Sequence, residues 1–234
     1  MAAGPELPLV VESREGHEPL PFTVQRVVCG GYSSRDQAEV ERHVKELESV
    51  GIPPPKEIPI FFSVGAYLAT VADVIEVQGP FTSGEVEFVL LFGPGGPWVT
   101  VGSDQTDRFF ERYSVPASKQ LCPKVVAGTV WPLAEVEPHW DELVLRSWVR
   151  SGRKRRLYQE AALASLQRPA ELLPGVRRHA GRELSGIVFF SGTVPTVDGQ
   201  LIYGDAYELE LDDPRLGRKL RTRYAVRVLE SAKH

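Results

Sequence analysis

Proline and glycine punctuate this chain from end to end, and that spacing restricts it to short elements joined by tight turns. The 19 prolines and 21 glycines among 234 residues are spread rather than pooled in a linker, repeat or low-complexity tract. Such punctuation leaves gaps that suit strands better than long helices. The length is sufficient for one good-sized domain with a sizeable buried core.

Between these breaks, Phe22 to Val28 reads as a strand by its β-branched content, closed by Gly30-Gly31. Ser33 or Ser34 is placed to cap a helix with the apolar stripe Val40, Val44, Leu47 and Val50, ended by Gly51. Ile58 to Val64 and Val74 to Val77 are further strands. Glu85 to Phe92 is a strong one, and a turn through Gly93-Pro94-Gly95-Gly96-Pro97 joins it to Trp98–Gly102. Tyr158 to Leu166 reads as helical, and Pro169 as the first residue of a short helix ending near Leu173. Ile187 to Phe190, Tyr207 to Leu211 and Leu220 to Leu229 complete a β-rich C-terminal third, with Asp198-Gly199 as a hairpin signal.

Several function classes are excluded by what is missing or diluted. Cys29 and Cys122 are far apart, with no CxxC or zinc-type spacing, so neither a disulfide framework nor a cysteine metal site is expected, and a reducing cytoplasm suits the chain. No basic leader and no run of about 20 apolar residues is present, so no membrane association is expected. A net charge of -4 and a pI near 5.8 provide no basic field for nucleic acid. The local cluster Arg150, Arg153, Lys154, Arg155 and Arg156 reads as a solvated hairpin tip around Ser151-Gly152. There is no phosphate-binding glycine fingerprint, no GxSxG elbow and no cysteine flanked as a nucleophile.

One acidic pattern calls for an explanation. The two-residue period of a strand places Glu85 and Glu87 on the same face, and an antiparallel return strand would deliver Asp104 to their neighbourhood. Carboxylates in an apolar strand are costly to bury without a cation, and an oxygen-only set suits Mg²⁺, Mn²⁺ or Ca²⁺. The other reading is a solvated edge strand. His43 and Glu46 are three apart on the first helix, either an acid/base dyad or an ordinary surface pair, and His139 beside Asp141 and Glu142 is a rival. Lys119 and Lys124 are both candidates for a cation that stabilises an enolate or carboxylate.

Taken in order, these segments resemble the fumarylacetoacetate hydrolase superfamily, as an outlying bacterial branch. Ser83-Gly84-Glu85-Val86-Glu87-Phe88 is similar to that family's HEVEL-type segment, and Gly102-Ser103-Asp104-Gln105-Thr106-Asp107-Arg108 to its NDVSARD-type segment. Phe190-Ser191-Gly192-Thr193-Val194-Pro195 and Tyr203-Gly204-Asp205-Ala206 are similar to its STGTP and PGDVVEVEI segments. Cys29-Gly30-Gly31-Tyr32 with His43-Val44-Lys45-Glu46-Leu47 resembles GRNYxxHxxEL, although Gly30 and Gly31 replace Arg and Asn and the gap from Tyr32 to His43 is longer.

The resemblance implies an α+β, mainly β fold, a mixed sandwich or roll with a few peripheral helices. It implies an N-terminal strand and lid-like helix over residues 1–55 and a catalytic core over 56–234. Glu85, Glu87 and Asp104 would be ligands of Mg²⁺, with Mn²⁺ or Ca²⁺ as alternatives, and His43, Glu46 and Lys119 catalytic. Tyr32, Gln159 and Thr193 would contact the substrate, a small dicarbonyl or 2-oxo carboxylate. Hydrolysis of a carbon–carbon bond is the implied reaction, with decarboxylation, hydration, tautomerisation or a non-catalytic homologue as alternatives, and a homodimer is the implied assembly.

Overall fold

A computed structural model describes residues 4–49, 54–181 and 183–230. The chain begins with the hairpin β1 (Glu6–Ser13) and β2 (Gly16–Thr23), then β3 (Arg26–Gly31), helix α1 (Gln37–Ser49) and β4 (Ile60–Val64). Three short strands, β5 (Ala69–Thr70), β6 (Val74–Val77) and β7 (Thr82–Ser83), precede the long pair β8 (Val86–Phe92) and β9 (Trp98–Asp104). There follow β10 (Thr106–Asp107), helices α2 (Arg108–Glu111) and α3 (Val115–Gln120), β11 (Lys124–Val126), β12 (Thr129–Pro132) and α4 (Leu133–Val136). The last part holds β13 (Val144–Ser151), β14 (Lys154–Ala162), α5 (Pro169–Ala180), β15 (Ile187–Phe190), β16 (Ala206–Asp213) and β17 (Arg218–Val228).

A ten-stranded mixed sheet runs β2-β1-β12-β9-β8-β15-β3-β4, with β11 pairing β9 and β5 pairing β11. A five-stranded sheet runs β14-β13-β16-β17-β6, and β7 pairs with β10. The larger sheet is apolar on both faces, so β8 is buried along its whole length. Its even-numbered side chains, Phe88, Leu90 and Phe92, pack with Tyr207, Leu209 and Tyr224 of the smaller sheet. Its odd-numbered Val89 and Leu91 pack with Leu9, Cys29, Val126 and Phe190 in a second core on the other face. By the two-residue period, Glu87 belongs to this second face. The α+β, mainly β architecture inferred from the sequence is the one observed, and among the described residues no helix is long and apolar enough to cross a membrane.

Four local expectations are corrected. Tyr158 to Leu166 is not a helix: residues 154–162 form β14, paired along β13, followed by a short 3-10 turn over Leu163–Ser165. Its alanines and leucines favour a helix, but burial of Tyr158 and Gln159 against a full partner strand outweighs propensities of a few tenths of a kcal/mol per residue. Helix α5 continues past Pro174 to Ala180: Pro174 forfeits one intrahelical hydrogen bond, but burial of Leu172, Val176 and Ala180 on one side carries the helix on. Asp198-Gly199 forms a turn, with Gly199 N–H donating to Thr196 O at 3.2 Å, but no paired hairpin follows it. Helix α1 starts at Gln37 rather than beside Ser33 or Ser34, with Asp36 Oδ1 accepting from the Ala38 N–H. Val50 and Gly51 lie outside the described residues.

The basic segment 150–156 is the β13–β14 hairpin tip, with Gly152 at φ 57°. Gly102, opposite Glu87 in the β8–β9 ladder, packs closely against the second core. A Cβ there would stand 2.6 Å from Val125 O, 2.7 Å from Val89 and 2.9 Å from Phe190. Gly102→Ala is therefore expected to destabilise the fold by about 1–3 kcal/mol through overpacking, read as a lower urea midpoint. An unchanged midpoint would mean that these neighbours yield freely.

Candidate metal and substrate site

The β8–β9 pairing builds the site. Val86 pairs with Ser103, Glu87 with Gly102, and the Asp104 N–H donates to Glu85 O at 3.1 Å. Asp104 is thus the last residue of its strand, across from Glu85. One oxygen from each of Glu85, Glu87 and Asp104 lies within 4.8 Å of the others. The solvated-edge reading is ruled out by burial: Glu87 is 1% exposed and Asp104 0%.

Each carboxylate has a different set of partners. Glu87 Oε2 accepts from the Gly192 N–H at 2.7 Å, an orientation that Gly192 reaches at φ 93°, where a side chain would be strained. Glu87 Oε1 is buried with no hydrogen-bond donor. Burial, and then the neighbouring Asp104 carboxylate, push the Glu87 carboxyl well above its ordinary range. Glu85 Oε1 is 2.8 Å from the Arg108 guanidinium and Oε2 is 3.3 Å from Lys119 Nζ, so Arg108 and Lys119 overcome the effect of burial and lower its pKa.

Asp104 lies between two lysines. Lys119 Nζ donates to Oδ2 at 2.5 Å, and Lys124 Nζ is 2.9 Å from Oδ1. Lys124 nevertheless spends its three N–H groups on the carbonyls of Gln105, Lys119 and Cys122. Asp104 Oδ1 therefore feels its charge without receiving a hydrogen bond. Burial would raise Asp104, but Lys119 and Lys124 together hold it at about 2. Both sequence candidates for the active-site lysine thus reach the same carboxylate.

Local helix chemistry positions these cations. Asp107 caps α2, its Oδ1 accepting from Phe109 N–H at 2.9 Å and Phe110 N–H at 3.0 Å, and Ser114 caps α3. Arg108 opens α2 and is fully engaged: Nε to Ser83 Oγ at 2.7 Å, one amino group to Glu85, the other to both oxygens of Glu111 at 3.0 Å. The sequence reading did not single out Arg108 or assign Lys124 this place, although Arg108 lies within the segment quoted around Asp104.

The remaining expected residues are distributed as follows. Tyr32 has φ 56°, an uncommon conformation for a tyrosine, and its phenol is raised by burial and by Glu111 against an opposing effect of Lys119, so it lies within electrostatic reach of both. Thr193 Oγ1 donates to Val86 O at 2.9 Å. Gln159 is buried with every hydrogen-bonding position in use: Oε1 accepts from Val86 N–H and Ser147 Oγ, and Nε2 donates to Thr193 Oγ1 and Val194 O. It clasps the Thr193 segment to β8. His43 and Glu46 are carried by α1, and their side chains lie outside the described residues. The rival His139 is buried with Nε2 2.9 Å from Asp213, a pairing that ties the turn before β13 to the end of β16.

The donor set fits a hard divalent cation. All three groups offer oxygen, and two buried oxygens, Glu87 Oε1 and Asp104 Oδ1, lack a donor, which is the situation a bound cation resolves.

A family model described as protein of unknown function DUF2848 matches residues 30–224. No curated protein matches the sequence. Among solved structures, a putative fumarylacetoacetate isomerase/hydrolase from Oleispira antarctica is similar with a TM-score of 0.61 and 20% identity, over 93% of this chain and 98% of that one. The fumarylpyruvate hydrolase of Pseudomonas aeruginosa, solved with Mn²⁺ and pyruvate, gives 0.57 and 22%, over 97% and 98%. A 2-keto-3-deoxyarabinonate dehydratase gives 0.66 and 16%, over 92% and 78%.

The electrostatics lead to an acid-stability prediction. The folded Asp104 pKa of about 2 lies below its ordinary 3.8, so its contribution is fully present above the ordinary value and is lost as pH falls towards about 2. Asp104→Asn should remove that part of the acid dependence. At neutral pH it should cost about 3–5 kcal/mol by leaving the buried Lys124 without its carboxylate and Lys119 with Glu85 alone, as measured by urea unfolding from pH 7 downwards.

Proposed function

Because the chain belongs to the DUF2848 family and has the fold of fumarylacetoacetate hydrolases, we propose that it is a metal-dependent hydrolase cleaving a carbon–carbon bond in a small acylpyruvate-type 2-oxo acid. The observation that carries this reading is the buried convergence of Glu85, Glu87 and Asp104 with two oxygens lacking donors. In this reading the three carboxylates hold Mg²⁺, with Mn²⁺ or Ca²⁺ as alternatives. A divalent ion there would act as a Lewis acid towards the 2-oxo and enolate oxygens.

The chain's own residues do the rest. Lys119, already oriented towards Glu85 and Asp104, compensates negative charge that develops on an enolate oxygen. Thr193, held in place by Gln159, and Tyr32 position the substrate carboxylate. His43, oriented by Glu46 on the lid-like α1 of the 1–55 segment, takes a proton from water as it adds to the distal carbonyl of the 56–234 core's substrate. The carbon–carbon bond then breaks, the electron pair passes to the pyruvate enolate, and protonation yields pyruvate and a second carboxylic acid. The protein works in the cytoplasm as a homodimer, for which the exposed aromatic cluster Phe109, Phe110 and Tyr113 offers a surface that association would cover.

A second reading is favoured by the dehydratase on the same fold: the same enolate chemistry would serve dehydration or decarboxylation. Product analysis with an acylpyruvate and Mg²⁺ separates them. Pyruvate plus a carboxylic acid supports hydrolysis, whereas released CO₂ or a retained carbon skeleton overturns it. His43→Ala should lower the rate by about 10²–10⁴-fold and flatten the basic-catalyst limb of the pH profile.

The metal assignment is checked without turnover. Millimolar Mg²⁺ or Mn²⁺ should raise the melting temperature of the native protein, since an ion that binds only the folded state stabilises it by mass action. Glu87→Gln should abolish that rise. No shift in the native protein would remove the metal from the reading.

A further inference from the structure

The outer face of the five-stranded sheet carries a groove of about 700 Å³. Side-chain alternation along the strands builds it. In β13, Arg146, Trp148 and Arg150 point outward between the buried Leu145, Ser147 and Val149. They form one wall with Arg155 of β14, whose guanidinium lies 4.3 Å from the centre of the Trp148 ring. In β17, Lys219, Arg221 and Arg223 form the opposite wall. Strand β16 runs between the two and supplies Glu208 and Glu210 as the floor. Walls two strand spacings apart leave a channel about 10 Å across.

The charges of this groove divide by depth. Glu210 is sunk to 4% exposure and is held by Arg146, Lys219 and Arg221 at 3.1, 3.2 and 2.8 Å. Glu208 is held by Arg150 at 2.6 Å and Arg155 at 2.8 Å. The cations stand higher: Arg221 is 66% exposed and Arg150 43%. Six cations line the groove, against Glu208 and Glu210 inside it and Asp212 and Glu160 at its margin, so positive charge remains in excess after every pairing. The Arg223 guanidinium has no acidic partner among the described residues. On a chain of net charge -4, this face is a local reversal of sign. Cross-strand pairing alone asks for one cation per carboxylate. The surplus, set in a concave surface, suits an anion from outside.

The spacing and the floor indicate which kind of anion. Lys219, Arg221 and Arg223 repeat every second residue, about 7 Å apart, which is also the repeat of same-face side chains in an extended peptide. Glu208 and Glu210 would repel a line of phosphates, whereas a peptide brings backbone N–H donors to the floor while its own carboxylates reach the walls. Trp148, the one aromatic side chain lining the groove, already carries Arg155 on its ring, so successive bases have no stacking platform. We infer that this groove binds an extended acidic segment of a partner protein, with aspartate or glutamate at alternate positions. The inner face of the same sheet packs on β8, so the groove is separate from the Glu85, Glu87 and Asp104 site and does not depend on the function proposed for it.

The test is fluorescence anisotropy of the full chain with a fluorescein-labelled peptide of alternating glutamate and threonine, at about 0.15 M salt. Saturable binding is expected, about tenfold or more tighter than that of the alternating glutamine and threonine peptide, and weakened by added salt. Arg223→Glu should weaken it by about tenfold or more, and Arg221→Gln in the same direction, so that the second variant carries the test if the first does not fold. Arg178→Glu makes the same change of charge on helix α5 and should leave binding as it is. No saturable binding of the glutamate peptide overturns the proposal, as does equal binding of the glutamine peptide. An oligothymidylate of equal charge that binds as tightly, or more tightly, overturns the peptide as the occupant. Native affinity in a folded Arg223→Glu or Arg221→Gln protein, or an equal loss in Arg178→Glu, overturns the groove as the binding surface.

Discussion

Burying carboxylates in an apolar sheet is the constraint on which the rest of this structure depends. Strand β8 is enclosed on both faces, and Glu87 occupies the same face as Val89 and Leu91. An unpaired anion in such a position would be strongly unfavourable. The chain meets that cost locally: Gly192 turns its N–H onto Glu87, Lys119 and Lys124 flank Asp104, and Arg108 grips Glu85. The elements around the site serve these contacts. The short helices α2 and α3 carry Arg108 and Lys119, and the start of β11 carries Lys124.

The compensation is incomplete in an informative way. Glu87 Oε1 and Asp104 Oδ1 keep no donor even though Lys124 stands close by, because an ammonium has three N–H bonds and backbone carbonyls take all of them. A site that were merely structural would gain by satisfying these oxygens, since orphaned buried acceptors cost on the order of 1–3 kcal/mol each. Two such oxygens within the same group of carboxylates are what a bound cation, if the proposed metal site fills, would satisfy. A second set of buried polar groups, Gln105, Tyr224 and Ser103 with Thr82, hydrogen-bonds beneath the strand end and keeps β9 and β10 in register with the smaller sheet.

Much of the frame was legible from local sequence. Period-2 patterning with a glycine- and proline-rich turn identified β8 and β9, and the basic hairpin tip around Gly152 was readable because turn chemistry is a property of adjacent residues. Where a long-range partner decided the outcome, local signals failed. Residues 158–166 have helical propensity, yet β13 recruits residues 154–162 as a strand and turns Gln159 into a clasp for Thr193. A short helix ending near Leu173 was the local reading, but the buried side of α5 carried the helix onwards to Ala180.

The sequence alone determined which groups could form the site: two acids on one strand face, a third acid on the return strand, and two lysines downstream. Strand periodicity is covalent geometry, so it survives without knowledge of the fold. Only the tertiary structure decided how those charges are apportioned. Arg108 took up Glu85, both lysines rather than one converged on Asp104, and His139 was committed to Asp213, away from any role as a base. These choices depend on distances between segments that are remote along the chain. The electrostatic energies that settle them vary with separation and burial, neither of which is written in residue order.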